Sequence, residues 1–166
     1  YYHSNCGGVT EDPVNVWQFS LPYLKVKSVP YGQRDPKYFW EHSISFRELR
    51  QIASKAGLKA QNLNKIYIEN RTESHRVANI VFSNGKQSFR MEATKFRKLA
   101  GYGKIQSLLF DTIQTTKGYR FQGTGHGHGV GLCQWAAKEM AEVGYRFDDI
   151  LRFFYTDTNI QIYNRL

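Results

Sequence analysis

Residues 76–91 read Arg76-Val77-Ala78-Asn79-Ile80-Val81-Phe82, then Ser83-Asn84-Gly85-Lys86, then Gln87-Ser88-Phe89-Arg90-Met91. Two β-prone runs flanking an Asn-Gly pair are a strong hairpin signal. Working outward, residues 65–69 read as a preceding strand. On the far side, Thr94 can cap a short helix over residues 95–100, closed by Gly101. Residues 108–115 and 119–123, across Thr116-Lys117-Gly118, read as a second hairpin. Upstream, Ser45-Phe46-Arg47-Glu48 is a capping box, with Ile44 and Leu49 placed as a hydrophobic staple. Leu49, Ile52, Ala53 and Ala56 follow at helical spacing, and Gly57 ends that helix. A glycine-rich loop over residues 123–131 leads into a helix over residues 132–143, stopped by Gly144. Asp148 then caps a helix over residues 149–155, and residues 159–163 read as a closing strand. Residues 1–43 are the most irregular, with Gly7-Gly8 and all four prolines. Within them, residues 1–4 read as a strand running into a Gly-Gly turn. The expected fold is α+β: antiparallel hairpins packed with three or four helices, with a glycine-rich loop before a C-terminal helix.

At 166 residues the chain is about one domain, taking ~150 residues each, so residues 1–166 are read as a single domain. Hydrophobic residues make up 41% and charged residues 22%, which excludes wholesale disorder. The apolar runs fall far short of the ~20 residues a membrane helix needs. The net charge of +9 favours an acidic partner: nucleic acid, anionic lipid or an acidic polysaccharide. No zinc-finger, RNA-recognition or helix-turn-helix signature accompanies the charge, so no nucleic-acid partner is expected. The densest basic stretch, Lys95-Phe96-Arg97-Lys98, reads either as a solvated helix face or as a patch for carboxylate or phosphate groups.

Chemistry concentrates at the two ends of the sequence. Residues 123–137 place five glycines and two imidazoles, His126 and His128, before a helix N-terminus. Glycines allow close backbone approach to a ligand, and a helix N-terminus offers free N–H groups. If the stretch is extended, the two imidazoles share a face. No Lys-Ser or Lys-Thr pair follows, which excludes a nucleotide loop. At the other end, His3 and Cys6 are spaced to reach one metal ion, and zinc accepts both ligand types. The plain alternative is a polar histidine and a buried thiol. Two cysteines, Cys6 and Cys133, allow a disulfide, free thiols or metal ligation. Among the carboxylates, Glu11, Asp12, Glu41 and Glu92 are candidates for acid–base work on a glycan. Of Trp17, Trp40 and Trp135, Trp17 is the one whose face is best suited to a sugar ring rather than the core.

Together the two segments resemble the stage II sporulation protein D family of lytic transglycosylases. The first motif is Tyr2-His3-Ser4-x-x-Gly7-Gly8-x-Thr10-Glu11, followed by Val16-Trp17 and Leu21-Pro22-Tyr23-Leu24. The second is Gly127-His128-Gly129-Val130-Gly131-Leu132-x-Gln134-Trp135-x-Ala137. Both occur in the family's order. Cys133 stands where the family usually has Ser, and Ala136 where it usually has Gly.

The resemblance implies an enzyme of the bacterial cell envelope that cuts peptidoglycan between N-acetylmuramic acid and N-acetylglucosamine. The muramic acid 6-hydroxyl attacks in place of water and leaves a 1,6-anhydro end. Relatives prefer strands stripped of stem peptides by an amidase, which makes such strands and a peptidoglycan amidase the implied partners. The alternative is a non-catalytic cell-wall glycan-binding module; a zinc hydrolase ranks lower. The resemblance assigns substrate contacts to His3, Ser4, Gly7, Gly8 and Thr10 on one side of a cleft, and to His126, His128, Gly129 and Gln134 on the other. No cofactor is required, but some relatives bind zinc through His and Cys, which singles out His3 and Cys6. The family's catalytic Glu lies N-terminal to the Tyr-His-Ser motif, so it is expected outside these residues. The resemblance also implies a periplasmic or other extracytoplasmic location, with a membrane anchor as an option in such a segment.

Overall fold

Ser45 joins a strand to a helix in the computed structural model, which describes residues 1–59 and 62–161. In chain order the elements are β1 (Tyr2–His3), α1 (Val14–Trp17), β2 (Phe39–Ser45), α2 (Phe46–Lys55) and β3 (Lys65–Arg71). Then come β4 (Val77–Ser83), β5 (Ser88–Glu92), α3 (Ala93–Ala100), β6 (Phe110–Gln114) and β7 (Gly118–Thr124). β8 (Leu132–Cys133), α4 (Gln134–Glu142) and α5 (Phe147–Phe154) complete the described chain. The fold is α+β, with five helices among the described residues against the three or four expected.

Both expected hairpins form. β4 and β5 pair from Asn79↔Glu92 to Ser83↔Ser88, and β6 and β7 pair from Phe110↔Gly123 to Gln114↔Tyr119. At the first turn the Asn84 carboxamide oxygen accepts from the N–H groups of Lys86 and Gln87, and Gly85 takes a φ of 85°. Asn84 thus mimics a backbone turn and glycine supplies the left-handed residue. The sheets run β3-β4-β5 and β2-β7-β6, with β1 and β8 as a separate parallel pair.

β2 is the principal element absent from the sequence reading, which left residues 1–43 irregular. It nonetheless alternates: Trp40 and Ile44 are buried, while Phe39, Glu41 and Ser43 face out. That period of two is the strand signal. Helix starts differ by a residue or two. Thr94 and Asp148 lie inside the first turns of α3 and α5, whose N-caps are Glu92 and Arg146. Asp148 instead pairs with Arg146 and Arg152. Residues 159–161 are not strand, and the rest of the expected closing strand lies outside the described residues.

Two buried clusters carry the packing. α2 contributes Leu49, Ile52 and Ala53 to the larger one, which includes Phe82, Phe96 and Phe121 from β4, α3 and β7. The Phe96 and Phe121 rings stack 5.6 Å apart. The smaller cluster joins Cys6, Val29 and Cys133 to Ala136, Met140, Ile150 and Phe154 of the last two helices.

The capping box forms as read. Ser45 Oγ accepts from the Glu48 N–H at 3.2 Å, and Glu48 Oε2 accepts from the Ser45 N–H at 3.0 Å. Lys104 adds a 2.8 Å bond to Glu48 Oε1. That bond, with the two from Ser45, pushes the Glu48 carboxyl down to about 2 from an ordinary 4.5. A depressed carboxyl stabilises the fold above its unfolded value and loses that contribution as pH falls toward its folded one. Glu48→Gln is therefore expected to melt below the parent protein at pH 7. The gap should narrow as pH is lowered from 4.5 toward 2, measured by thermal unfolding across that range. A pH-independent gap would contradict the assignment.

Candidate functional site

The two end motifs meet through backbone. Tyr2 and His3 lie in parallel register with Leu132 and Cys133. Asn5 and His126 exchange N–H···O bonds of 2.9 and 2.8 Å, and the Glu11 N–H donates to Gly129 O at 2.9 Å. Between these contacts Gly125, Gly127, Gly129 and Gly131 take φ values of 77°, 120°, 87° and 75°. Alternate left-handed residues coil this stretch, so the extended geometry that would put His126 and His128 on one face is not present. A Cβ at Gly129 would sit 2.3 Å from Arg76 Nη2.

That guanidinium is the hidden centre of the site. Arg76 is 2% exposed. Its Nη2 donates to Cys6 O at 2.8 Å and Val9 O at 3.0 Å, and its Nη1 donates to Ser74 Oγ at 2.9 Å. Ser74 passes the contact on, donating to Glu11 Oε2 at 2.9 Å. Burial pushes the Arg76 pKa down, and the Glu11 carboxylate opposes that shift. Glu11 also accepts from Thr72 Oγ1, Asn15 Nδ2 and the Asp12 N–H, so both of its oxygens are engaged.

Beside this network lies a thiol–imidazole cluster. The His3, Cys6 and Cys133 ligand atoms all fall within 4.8 Å of one another, and all three residues are buried. His3 Nδ1 bonds Val130 O at 3.1 Å, which leaves Nε2 buried with no hydrogen-bond partner among the described residues. Such a donor set, with its second ring nitrogen fixed by a carbonyl, is what a tetrahedral zinc site uses. Both cysteines are free thiols. The Cys133 sulfur accepts from the Cys6 N–H at 3.2 Å, and Cys133 is the residue from which α4 starts. A hydrogen bond from the Cys6 thiol, the nearby His3 and an α4 N–H push Cys133 down to about 5; the same thiol contact and burial push Cys6 up. Cys133 is missing from the ligand pair expected on sequence, because only the β1–β8 pairing brings it to His3.

A cleft of about 750 Å³ opens alongside. Trp17 and Tyr102 supply aromatic faces, Lys95, Arg97 and Lys98 supply charge, and Gly127 and His128 form part of the lining. A smaller recess of about 260 Å³ shares Val16, Thr94, Leu108 and His128 with it and runs on to Glu11 and Glu92. Arg97 is fixed by bonds to Ile105 O and Gln106 O and stands 4.7 Å over the Tyr102 ring. Burial pushes its pKa down to about 10, so it remains cationic at neutral pH. His128 uses both ring nitrogens on backbone: Nε2 bonds Tyr2 O, and Nδ1 accepts from the Val130 N–H. Burial and the nearby His3 push it down to about 4, so it is neutral and presents a ring face, 4.9 Å from Trp17.

The other expected residues sit as follows. Thr10 is buried, its hydroxyl donating to Lys25 O and accepting from the Lys27 N–H. Ser4 accepts from the Trp135 N–H through its carbonyl. Gly7 and Gly8 turn the chain at φ values of 69° and 98°, Gly129 is buried against Arg76, and Gln134 is exposed at the start of α4. Asp12 accepts from the Val14 N–H, Glu41 lies on the outer face of β2, and no carboxylate lines the larger cleft among the described residues. Of the tryptophans, Trp17 lines that cleft, Trp40 is buried, and Trp135 packs under Lys138. Arg97 belongs to the basic stretch read as a patch for carboxylate or phosphate groups, whereas Arg76 and Tyr102 were not legible as site residues, since their roles depend on long-range contacts.

Residues 21–131 match the family described as "Domain of unknown function (DUF8618)". The chain belongs to that family. It is 32% identical over 166 residues to an uncharacterised protein of Brachyspira hyodysenteriae, a match covering 100% of this chain and 44% of that one. It is 30% identical over 160 residues to stage II sporulation protein D of Bacillus subtilis, covering 96% of this chain and 44% of that one. It is 23% identical over 210 residues to the amidase enhancer of Bacillus subtilis, covering 98% of this chain and 29% of that one. The chain thus spans less than half the length of these relatives. They support the resemblance to stage II sporulation protein D read from the two motifs. Among the described residues no helix is long and apolar enough to cross a membrane.

Removing one partner of a buried charge network typically costs about 3–5 kcal/mol. Arg76→Met is expected to lose that much unfolding free energy by urea denaturation. A loss under about 1 kcal/mol, the range of ordinary substitutions, would contradict the role given to Arg76.

Proposed function

We propose that the cleft between Trp17 and Tyr102 binds the glycan strand of peptidoglycan, and that the protein serves as the strand-holding part of a lytic transglycosylase in the bacterial cell envelope. The observation that carries this reading is the pairing of two aromatic faces with Lys95, Arg97 and Lys98 in one cleft, where the motif residues Gly127 and His128 also lie. Sugar rings present flat apolar faces to aromatic side chains. Each muramic acid freed of its stem peptide exposes a lactyl carboxylate, which a cationic cleft attracts. Strands prepared by an amidase are therefore the favoured substrate. The name of the amidase-enhancer relative is in keeping with an amidase partner.

In the reaction, a carboxylic acid protonates the glycosidic oxygen as its bond to C1 of N-acetylmuramic acid breaks. The resulting carboxylate takes the proton of the 6-hydroxyl, whose oxygen bonds to C1. One proton leaves the acid, one returns, and no water is consumed. The cleft residues bind and orient the strand, while neutral His128 presents its ring. The resemblance assigns the acid to a segment N-terminal to Tyr2-His3-Ser4. Glu11 is a poor substitute, because four hydrogen bonds already hold its carboxylate. A non-catalytic glycan-binding module is the second reading, favoured by the lack of a lining carboxylate among the described residues.

The partnerless His3 Nε2 supports a zinc ion on His3, Cys6 and Cys133. Bound there, zinc would cross-link the two motifs, and a fourth ligand beyond these three would complete its tetrahedron.

Denuded strands incubated with the full-length protein are expected to acquire 1,6-anhydro ends by mass spectrometry. Binding without such ends would select the binding-module reading, and neither binding nor product would reject both. Lys95→Ala with Lys98→Ala should weaken strand binding and flatten its salt dependence. Elemental analysis should find one zinc per chain, and none in Cys133→Ala, which should also melt lower. A metal-free parent protein would contradict the zinc assignment.

A further inference from the structure

The outer face of the β2-β7-β6 sheet takes no part in the cleft just described. Register sets Glu41 opposite Gln122 and Gln122 opposite Asp111, so three planar polar side chains form one row across three strands. Side chains alternate along a strand, so Phe39 and Thr124 form the next row on this face. The opposite face carries Trp40, Phe110 and Phe121 into the core. The outer face is open: Phe39 is 77% exposed, and the Glu41 and Asp111 side chains are 50% and 84% exposed. A large aromatic side chain held that far into solvent is an informative exception.

A cavity of about 800 Å³ lies here, lined by Phe39, Glu41, Arg71, Asp111 and Gln122 among others. It shares no lining residue with the Trp17–Tyr102 cleft; Leu108 lines that one and Leu109 this one. Its polar groups are held in place. Gln122 Nε2 donates to Glu41 Oε2 at 2.7 Å, and Arg120 Nε stands 3.8 Å from the same oxygen. Arg71 holds Asp111 Oδ1 and donates to His75 O and Phe110 O at 2.9 and 3.0 Å. Among the described residues each carboxylate retains one oxygen without a protein partner, and Gln122 retains its carboxamide oxygen and a second N–H.

The chemistry differs from that of the first cleft. There three cations and no carboxylate line the walls. Here Glu41 and Asp111 line the walls with Arg71, and Arg120 stands behind Glu41 without lining the cavity. An anion would meet the free carboxylate oxygens, and a cation would meet the Arg71 guanidinium. What matches fixed planar donors and acceptors of both charge signs beside an exposed ring is a ligand rich in hydroxyl and amide groups with a flat apolar face. We propose that this face is a second carbohydrate site, for an uncharged oligosaccharide of about two or three rings, the size its volume admits. Phe39 is the stacking platform, and the Glu41–Gln122–Asp111 row reads the hydroxyls. The site follows from its own chemistry and does not depend on whether the first cleft cuts glycan.

Tri-N-acetylchitotriose is the probe, titrated into the isotopically labelled protein and followed by amide NMR. Saturable shifts centred on Phe39, Glu41, Asp111 and Gln122 are expected at millimolar probe. Phe39→Ala should weaken binding about tenfold, the loss of one stacking contact, and Phe39→Trp should restore it. Lys95→Ala with Lys98→Ala should leave these shifts unchanged while weakening the binding of denuded strands. Shifts confined to the Trp17–Tyr102 cleft would overturn the second site and leave the first reading intact. No shifts at millimolar probe, or shifts indifferent to Phe39→Ala, would also overturn it.

Discussion

A guanidinium removed from water holds the site together. Arg76 reaches it from the first residue before β4 and bonds the carbonyls of Cys6 and Val9, on the far side of the sequence. Desolvating a cation costs several kcal/mol, and only well-placed acceptors and a nearby countercharge offset it. The Ser74–Glu11 relay supplies the countercharge. Gly129 leaves the room, because any side chain there would occupy the guanidinium's place. The turn after Cys6 and the glycine-rich loop before α4 are thereby locked to one cation. The placement of His3, Cys133, Gly127 and His128 follows from that lock.

The sequence is most legible where the physics is local. The capping box at Ser45, the Asn84-Gly85 turn and the hairpin across residues 115–118 each depend on neighbours a few residues apart, and each forms. β2 lies in a stretch dominated by prolines and turn residues upstream, which hides a clear alternation from Phe39 to Ser45. The glycine-rich loop misleads in another way. Its alternate glycines adopt left-handed φ, so the two-residue period that would align His126 with His128 does not exist in space.

The site was legible in part for the same reason. His3 and Cys6 are close in sequence and were paired as ligands, but Cys133 joins them only through the parallel β1–β8 contact. Thr10 and Glu11, conspicuous as polar motif residues, are consumed by internal hydrogen bonds. The cleft charge was visible as a basic run, Lys95 to Lys98, without an indication that Trp17 and Tyr102 would face it. Tertiary contacts thus decide which polar residues build the frame and which remain free to meet a ligand.

The division between frame and ligand-facing residues is tested most directly by a crystal structure of the protein with a denuded tetrasaccharide of alternating N-acetylglucosamine and N-acetylmuramic acid. The account predicts a sugar ring against Trp17 or Tyr102 and a lactyl carboxylate within hydrogen-bonding distance of Lys95, Arg97 or Lys98, with Arg76 and Glu11 unmoved. A strand seated elsewhere, or one that displaces the Arg76–Ser74–Glu11 network to bind, would contradict it.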